Sequence, residues 1–434
     1  AAFFNRRNLY RRKCDQSGKP VLSVFSPDKP YVVYDKPAWE SDSWDAKDYG
    51  RDVDFSRPFF EQFSELLRSV PQQALVVVSG SNENSEYTND SGWLKNCYLV
   101  FDCGRAQDVL YSESFSDVKD SMDLLSCVKL ELCYECSACQ DCYDLKFSRF
   151  CKNCHESWFL QDCVGCQNCF GCSSLRQKQN YIFNTKHSPT AYKDFMHSFQ
   201  SGSYAALQGK MEEWHRFLDS QPAKCVRGIQ NHHVVGDILS NCKNCYYSFN
   251  SNGMEDCAYC TDVVQGAKDC VDVHGWGEDL ELTYNSIIVG SGLHEGFCCI
   301  WCGLGASNLT YCYTCVRSVN DLFGCVGMQK SSHCILNKPY SKSDYEQLRS
   351  KLVEHMQATG EWGLFFPPEI SPFGYNESMA QAMFPLEKEA VLAKGWNWSD
   401  YHAQGSDVEA VFSGDLPDHI DAIKDDMLKI PIRC

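Results

Sequence analysis

The chain has 434 residues, a formal net charge of −17, 13% aromatic residues and 28 cysteines. That length allows several domains with buried cores, and the aromatic content argues against bulk disorder. The charge sets the bulk surface against nucleic acid and anionic membranes, and no run approaches the roughly 18 apolar residues of a membrane helix.

Residues 1–57 form a basic arm followed by a compact segment rich in turns and aromatics. Arg6, Arg7, Arg11, Arg12 and Lys13 carry the arm's charge, with no acid among residues 1–13. A basic arm on an acidic body is expected to contact RNA or an acidic partner, or to be packed locally. Residues 58–95 read as a helix and a linker strand. Pro58 opens the helix, and Phe59, Phe60, Phe63, Leu66, Leu67 and Val70 give it one apolar face. Leu75-Val76-Val77-Val78 reads as a strand before a polar loop, Ser79–Ser91.

Residues 96–184 are the first cysteine-rich module. Cys133, Cys136, Cys139 and Cys142 form one unbroken C-x2-C-x2-C-x2-C run, and Cys163, Cys166, Cys169 and Cys172 form a second. Short polar-punctuated segments with aromatic anchors and no helical pattern predict stacked strands, in coils of about 20 residues. Residues 185–222 are a helical cap and linker. Ser188 caps a helix bearing Tyr192, Phe195 and Phe199, and a second helix spans about Tyr204–Leu218.

Residues 223–337 repeat the first module. Phe170-Gly171-Cys172, Ile182, Asn184, Ser188 and Tyr192 recur 153 residues on as Phe323-Gly324-Cys325, Ile335, Asn337, Ser341 and Tyr345. Lys95-Asn96-Cys97-Tyr98 recurs as Lys243-Asn244-Cys245-Tyr246, 148 residues on. Residues 338–434 are a helical cap and tail. Ser341 caps a helix with Asp344 at its third position and Tyr345, Leu348, Leu352 and Met356 on one face. The expected fold is therefore mainly β: two duplicated, cysteine-rich β-solenoid modules resembling parallel β-helices, each capped by helices.

Three roles are open to the cysteines. Paired C-x2-C thiolates bind zinc, and iron–sulfur ligation uses similar spacing. Disulfide frameworks suit small secreted chains. Free cysteine also packs as a small buried hydrophobe. Between the copies cysteine is exchanged freely: Cys133 faces Thr283, Cys169 faces Leu322 and Ser121 faces Cys270. Ligands of one metal should not be exchanged so, and packing is the favoured reading, with no cofactor. Zinc on the Cys133–Cys142 and Cys163–Cys172 runs is the alternative. Free thiols would favour a reducing compartment.

The runs Asn8-Leu9-Tyr10-Arg11-Arg12-Lys13-Cys14, Phe25-Ser26-Pro27-Asp28-Lys29-Pro30-Tyr31, Asp54-Phe55-Ser56-Arg57-Pro58-Phe59-Phe60, Asn84-Ser85-Glu86-Tyr87-Thr88-Asn89, Gln167-Asn168-Cys169-Phe170-Gly171-Cys172 and Phe373-Gly374-Tyr375-Asn376-Glu377 resemble a family. Its members are uncharacterised cysteine-rich bacterial proteins of candidate-phyla genomes, labelled zinc-ribbon proteins. The resemblance extends over most of the chain and implies no transferable activity. It implies a four-cysteine ribbon whose positions here are Cys14, Ser17, Asp35 and Ala38, a degenerate zinc ribbon. It also implies a further ribbon upstream of the basic arm, which this sequence does not include.

No nucleophile elbow, phosphate loop, metalloprotease helix or dinucleotide fingerprint is present. Asp120, Asp123, Asp141 and Asp144, with Asp269, Asp272 and Glu281 in the second copy, could line one face, but turn roles suit them better. The expectation is a non-enzymatic structural or interaction protein, a scaffold or accessory subunit bound to other protein subunits and anchored through the basic arm. A metal-binding protein is the alternative and a thiol redox protein a third reading.

Overall fold

The computed structural model describes residues 3–122, 128–131, 140–146, 154–199, 201–264, 266–401 and 410–433, with only the backbone of 115–117, 128–131, 140–146, 428 and 433. The chain divides into two compact units. One holds Ala1–Val76 and Lys224–Asp400, the other Val77–Ala223 and Tyr401–Cys434.

Both units are mainly β, and their large sheets share one rule. A strand pairs in parallel with the segment one rung further on, mostly 12 or 13 residues away and 11 at the start of the first unit's sheet. In the second unit Gln167 pairs with Gln179 and Phe170 with Ile182. Bridges Gln161↔Ser173 and Val164↔Arg176 lie on the same 12-residue spacing. Each rung therefore advances by 12 residues and turns four corners, one every three residues. The rung is shorter than the expected 20 or so residues because three-residue sides need no separate turn. Every third residue takes a positive φ instead: Gly165, Asn168, Gly171, Ser174, Gln177, Asn180 and Phe183 are consecutive examples. Left-handed residues cost about 1–2 kcal/mol each unless Gly, Asn or Asp eases them. Asp120, Asp269 and Asp272 are such corners, the turn role expected for them. Asp123 lies outside the described residues, and Asp141 and Asp144 are described only in their backbone.

The first unit opens on a step of 11 residues, as in His232↔Lys243, uses 12, as in Tyr246↔Ala258, then 13, as in Ile287↔Ile300 and Tyr313↔Val326, and ends on 12, as in Leu322↔Cys334. The extra residue sits at one corner, where two successive residues take positive φ: Ser291-Gly292, Leu304-Gly305 and Arg317-Ser318. Part of this sheet closes on itself. Lys243–Asn252 pairs with both Met254–Glu255 and Thr261–Val264, and Leu280–Ile287 pairs with both Ala267–Lys268 and Val271–Gly277. With Met254–Glu255 on Ala267–Lys268 and Thr261–Val264 on Val271–Gly277, six parallel strands form a closed, barrel-like ring.

The two stacks end alike at residues 153 apart. Tyr181 pairs antiparallel with Lys186, and Cys334 with Pro339. The Asn184 side chain accepts from the Ser173 N–H at 2.9 Å, and the Asn337 side chain accepts from the Val326 N–H at 2.8 Å. Ser188 and Ser341 then accept from Ala191 and Asp344, capping helices Pro189–Ser198 and Lys342–Ala358 as expected. Helix Tyr204–Asp219 follows in the second unit. Each cap covers an aromatic face: Phe159, Phe170 and Trp214 in one core, Phe59, Tyr311 and Phe323 in the other.

Helix Phe59–Ser69 forms as expected, its apolar face buried. No Ncap side chain caps its start. Glu361, distant in sequence, accepts the Phe59 and Phe60 N–H groups at 2.8 and 2.7 Å. The expected strand Leu75–Val78 does not form. Only Val77 makes a bridge, to Ser91, and the strand lies later, at Thr88–Lys95, inside the expected loop. Leu75 and Val76 instead pack on the apolar core of the first unit, which β-propensity alone could not foresee. A short helix, Lys388–Ala393, lies further along the first unit.

Candidate functional site

The three-residue side gives every residue one of three places. One points inward, the next pairs along the rung, and the third turns the corner. Leu160, Cys163, Cys166, Cys169 and Cys172 are consecutive inward residues, each with no exposed surface. The C-x2-C run is thus the period of the coil's sides. Cys242, Cys245, Cys257, Cys260 and Cys270 in the first unit, then Cys299, Cys302, Cys312, Cys315, Cys325 and Cys334, are inward in the same way.

An inward position sets a chemical demand, because a backbone N–H that faces the coil's interior has no water to bind. The inward residue one rung earlier meets it. Cys169 N–H donates to Ser157 Oγ at 3.1 Å, Cys260 N–H to Ser248 Oγ at 3.2 Å, and Cys299 N–H to Ser286 Oγ at 3.0 Å. Cysteine sulfur takes the same place. It reaches the next rung as a donor: the Cys169 thiol to the Lys178 carbonyl at 3.7 Å, that of Cys172 to Tyr181 at 3.5 Å, that of Cys260 to Cys270 at 3.7 Å and that of Cys299 to Leu309 at 3.6 Å. The thiols also donate to carbonyls two residues back: Cys163 to Gln161 at 3.4 Å, Cys169 to Gln167 at 3.3 Å and Cys172 to Phe170 at 3.3 Å. Cysteine suits this position because it is small and apolar yet carries a weak donor and a weak acceptor. Leu322, the counterpart of Cys169, holds the same rung position, opposite Cys334 as Cys169 is opposite Tyr181.

Neighbouring thiols also touch. Cys299 and Cys302 bond each other and, one rung on, Cys312 and Cys315. Burial pushes the thiols of Cys299, Cys302, Cys312 and Cys315 far up. Hydrogen bonds to Cys166 and Cys172, and then burial, push the Cys169 thiol up. Among the described residues the cysteines are unbridged and, apart from the exposed Cys225, buried. Among the same residues no three metal-ligating groups are set to hold one ion. Cys133, Cys136 and Cys139 lie outside the described residues, and Cys142 is described only in its backbone.

The four positions expected to mark a degenerate ribbon, Cys14, Ser17, Asp35 and Ala38, form a local cluster. Cys14 follows the hairpin of Tyr10–Lys13 with Pro20–Ser23, and its sulfur accepts from the Ser17 and Asp35 N–H groups, both at 3.4 Å. Asp35 Oδ1 accepts from the Ala38 N–H at 2.9 Å. Those four positions stand together. Burial pushes the Cys14 thiol up, but the Ser17 hydroxyl and these N–H donors outweigh it and bring it down.

The basic arm is folded into the first unit. Arg6 is buried, its guanidinium 5.3 Å from the Phe4 ring. Arg12 pairs with Asp15 at 3.0 Å and donates to the Ser26 and Tyr31 carbonyls. Arg7, Arg11 and Lys13 are exposed. Sequence reading missed an exposed aromatic set on the early rungs of this unit, Tyr246, Tyr247, Tyr259 and Tyr284. The 12-residue step from Tyr247 to Tyr259 was its signal.

No protein-family model matches the chain, and no curated protein matches it. Among solved structures, a chain of Desulfovibrio desulfuricans G20 with an acetyltransferase designation is 9% identical, over 67% of this chain and 74% of that one, with a TM-score of 0.12. At that score the likeness carries no argument for fold or function. No described helix is long and apolar enough to cross a membrane.

Proposed function

We propose that this chain is a non-enzymatic structural or interaction protein, a scaffold or accessory subunit built from two related β-solenoid modules. The identical stack ends at residues 153 apart support the duplication. The observation that carries the functional reading is the use made of the cysteines. Their thiols donate to carbonyls of the next rung, so the most reactive residues in the sequence are committed to holding the coil. The exposed Arg7, Arg11 and Lys13 remain as contacts to an acidic partner or to RNA, beside other protein subunits. The N-terminal segment reads as a zinc ribbon that kept its fold after losing thiols at Ser17, Asp35 and Ala38.

A metal-binding protein is the second reading, with zinc or an iron–sulfur cluster on the C-x2-C runs. What favours it is the C-x2-C spacing of the Cys133–Cys142 and Cys163–Cys172 runs. Binding would require the buried sulfurs to give up their backbone hydrogen bonds and become thiolates, against burial. Native purification without chelator separates the two. A scaffold elutes with partner proteins and carries less than one metal per chain. Stoichiometric zinc or iron, lost together with structure on chelation, establishes the second reading instead.

A further inference from the structure

One face of the first unit is a single column of rung residues. Tyr246, Ala258, Val271, Tyr284, Phe297, Thr310, Phe323 and Ile335 follow one another in parallel register. Its far part is covered by the chain itself. Trp362, in the irregular segment after helix Lys342–Ala358, stacks on Phe297 at 4.9 Å and 11°, and Phe366 meets Tyr311. Its near part is bare. Tyr246 is 46% exposed, and the corner residues beside the column, Tyr247 and Tyr259, are 57% and 55% exposed. Those two rings lie parallel, 5.5 Å apart with 4° between their planes.

The bare part is also strongly acidic. Between residues 243 and 285 the sequence has eight acids (Glu255, Asp256, Asp262, Asp269, Asp272, Glu278, Asp279 and Glu281) and two lysines (Lys243 and Lys268). Asp256, Asp269 and Asp272 are exposed corners. Ring faces attract cations, and a guanidinium stacks flat on tyrosine. Surrounding carboxylates hold such a cation and repel an anionic ligand.

We propose that this tyrosine face docks an extended, arginine- and lysine-bearing segment of a partner protein. The segment would continue along the column that Trp362 and Phe366 already occupy. It would lay planar cationic side chains on Tyr247 and Tyr259 between the acidic corners. This rests on the scaffold reading and names the class of partner for it.

The test uses the full chain and a fluorescent alternating arginine–glycine peptide, followed by anisotropy. The peptide binds, binds more weakly as salt rises, and loses roughly tenfold in affinity with Tyr247→Ser/Tyr259→Ser. Tyr204→Ser, exposed elsewhere, changes nothing, and a glutamate–glycine peptide does not bind. Equal affinity for the double variant would overturn the proposal, because the acids alone would then explain binding. No binding of the arginine peptide would overturn it as well. So would self-association of the wild type that the double variant abolishes, since the occupant would then be a second copy. Partner proteins retained on native purification while the peptide fails would leave the scaffold reading standing without this face.

Discussion

The covered and bare parts of the column in the first unit share one backbone and differ in what lies on them. Beyond Phe297 the corners become Cys298, Tyr311 and Leu336, all fully buried under helix Phe59–Ser69 and the Trp362–Phe366 segment. Before Tyr284 the corners are Tyr247, Tyr259 and Asp272, all exposed. The coil itself is therefore held from inside, by the hydrogen bonds of its inward thiols and hydroxyls. The outer face is free to become either a core or a surface. Changes inside should be costly everywhere, changes outside only where the column is covered.

The largest effect expected is alkaline unfolding. Burial pushes the Cys298 thiol up to about 12 and that of Cys334 up to about 11, and drives those of Cys299, Cys302, Cys312 and Cys315 further in the same direction. A thiol whose pKa is raised by folding stabilises the fold fully below its unfolded value and loses that contribution as pH rises through the folded one. Stability should thus be flat to about pH 8.5 and fall steeply above it. Denaturant midpoints measured from neutral to strongly alkaline pH check this, and a flat profile would break it.

Next comes Gly324→Ala on the covered part. A Cβ there would meet the Phe59 ring at 2.8 Å, and the residue sits at φ +62. Overpacking and the left-handed backbone together should destabilise by about 2–4 kcal/mol. Glu361→Ala should cost less, about 1–2 kcal/mol, because it strips two helix N–H groups of their acceptor. Both are read from equilibrium denaturation, and neutrality of either would mean the cover is not part of the cooperative fold. Smallest of all, Tyr247→Ser on the bare part should stay within about 0.5 kcal/mol of the parent.

Much of this was legible in the residues. The helices announced themselves through Ser188, Ser341 and Pro58 and through phenylalanines at helical spacing, because capping and amphipathicity are local properties. Asn184 and Ser188 have their like in Asn337 and Ser341 because both stack ends use an Asn and a Ser there. The rung length was not, since the anchors were taken to mark strands when they mark single sides of three residues. The cysteine spacing carried the missing number. C-x2-C was weighed as ligand spacing, although it equals the side of the coil. Leu75–Val78 misled because four apolar residues read as a strand whenever tertiary packing is unknown. The roles of Arg6 and Arg12 were hidden for the same reason, as a basic run does not reveal which of its members the fold draws inside.

The most direct test of the inward-thiol account is thiol accessibility on the native chain, purified without chelator, followed with a small thiol reagent across increasing denaturant. The account predicts that Cys225, the exposed cysteine among the described residues, reacts at once. The inward thiols should stay inert and then react together at the unfolding transition. Inward thiols that react singly in the native state would contradict the inward residues as the element that holds the coil. So would thiols protected only until a chelator is added.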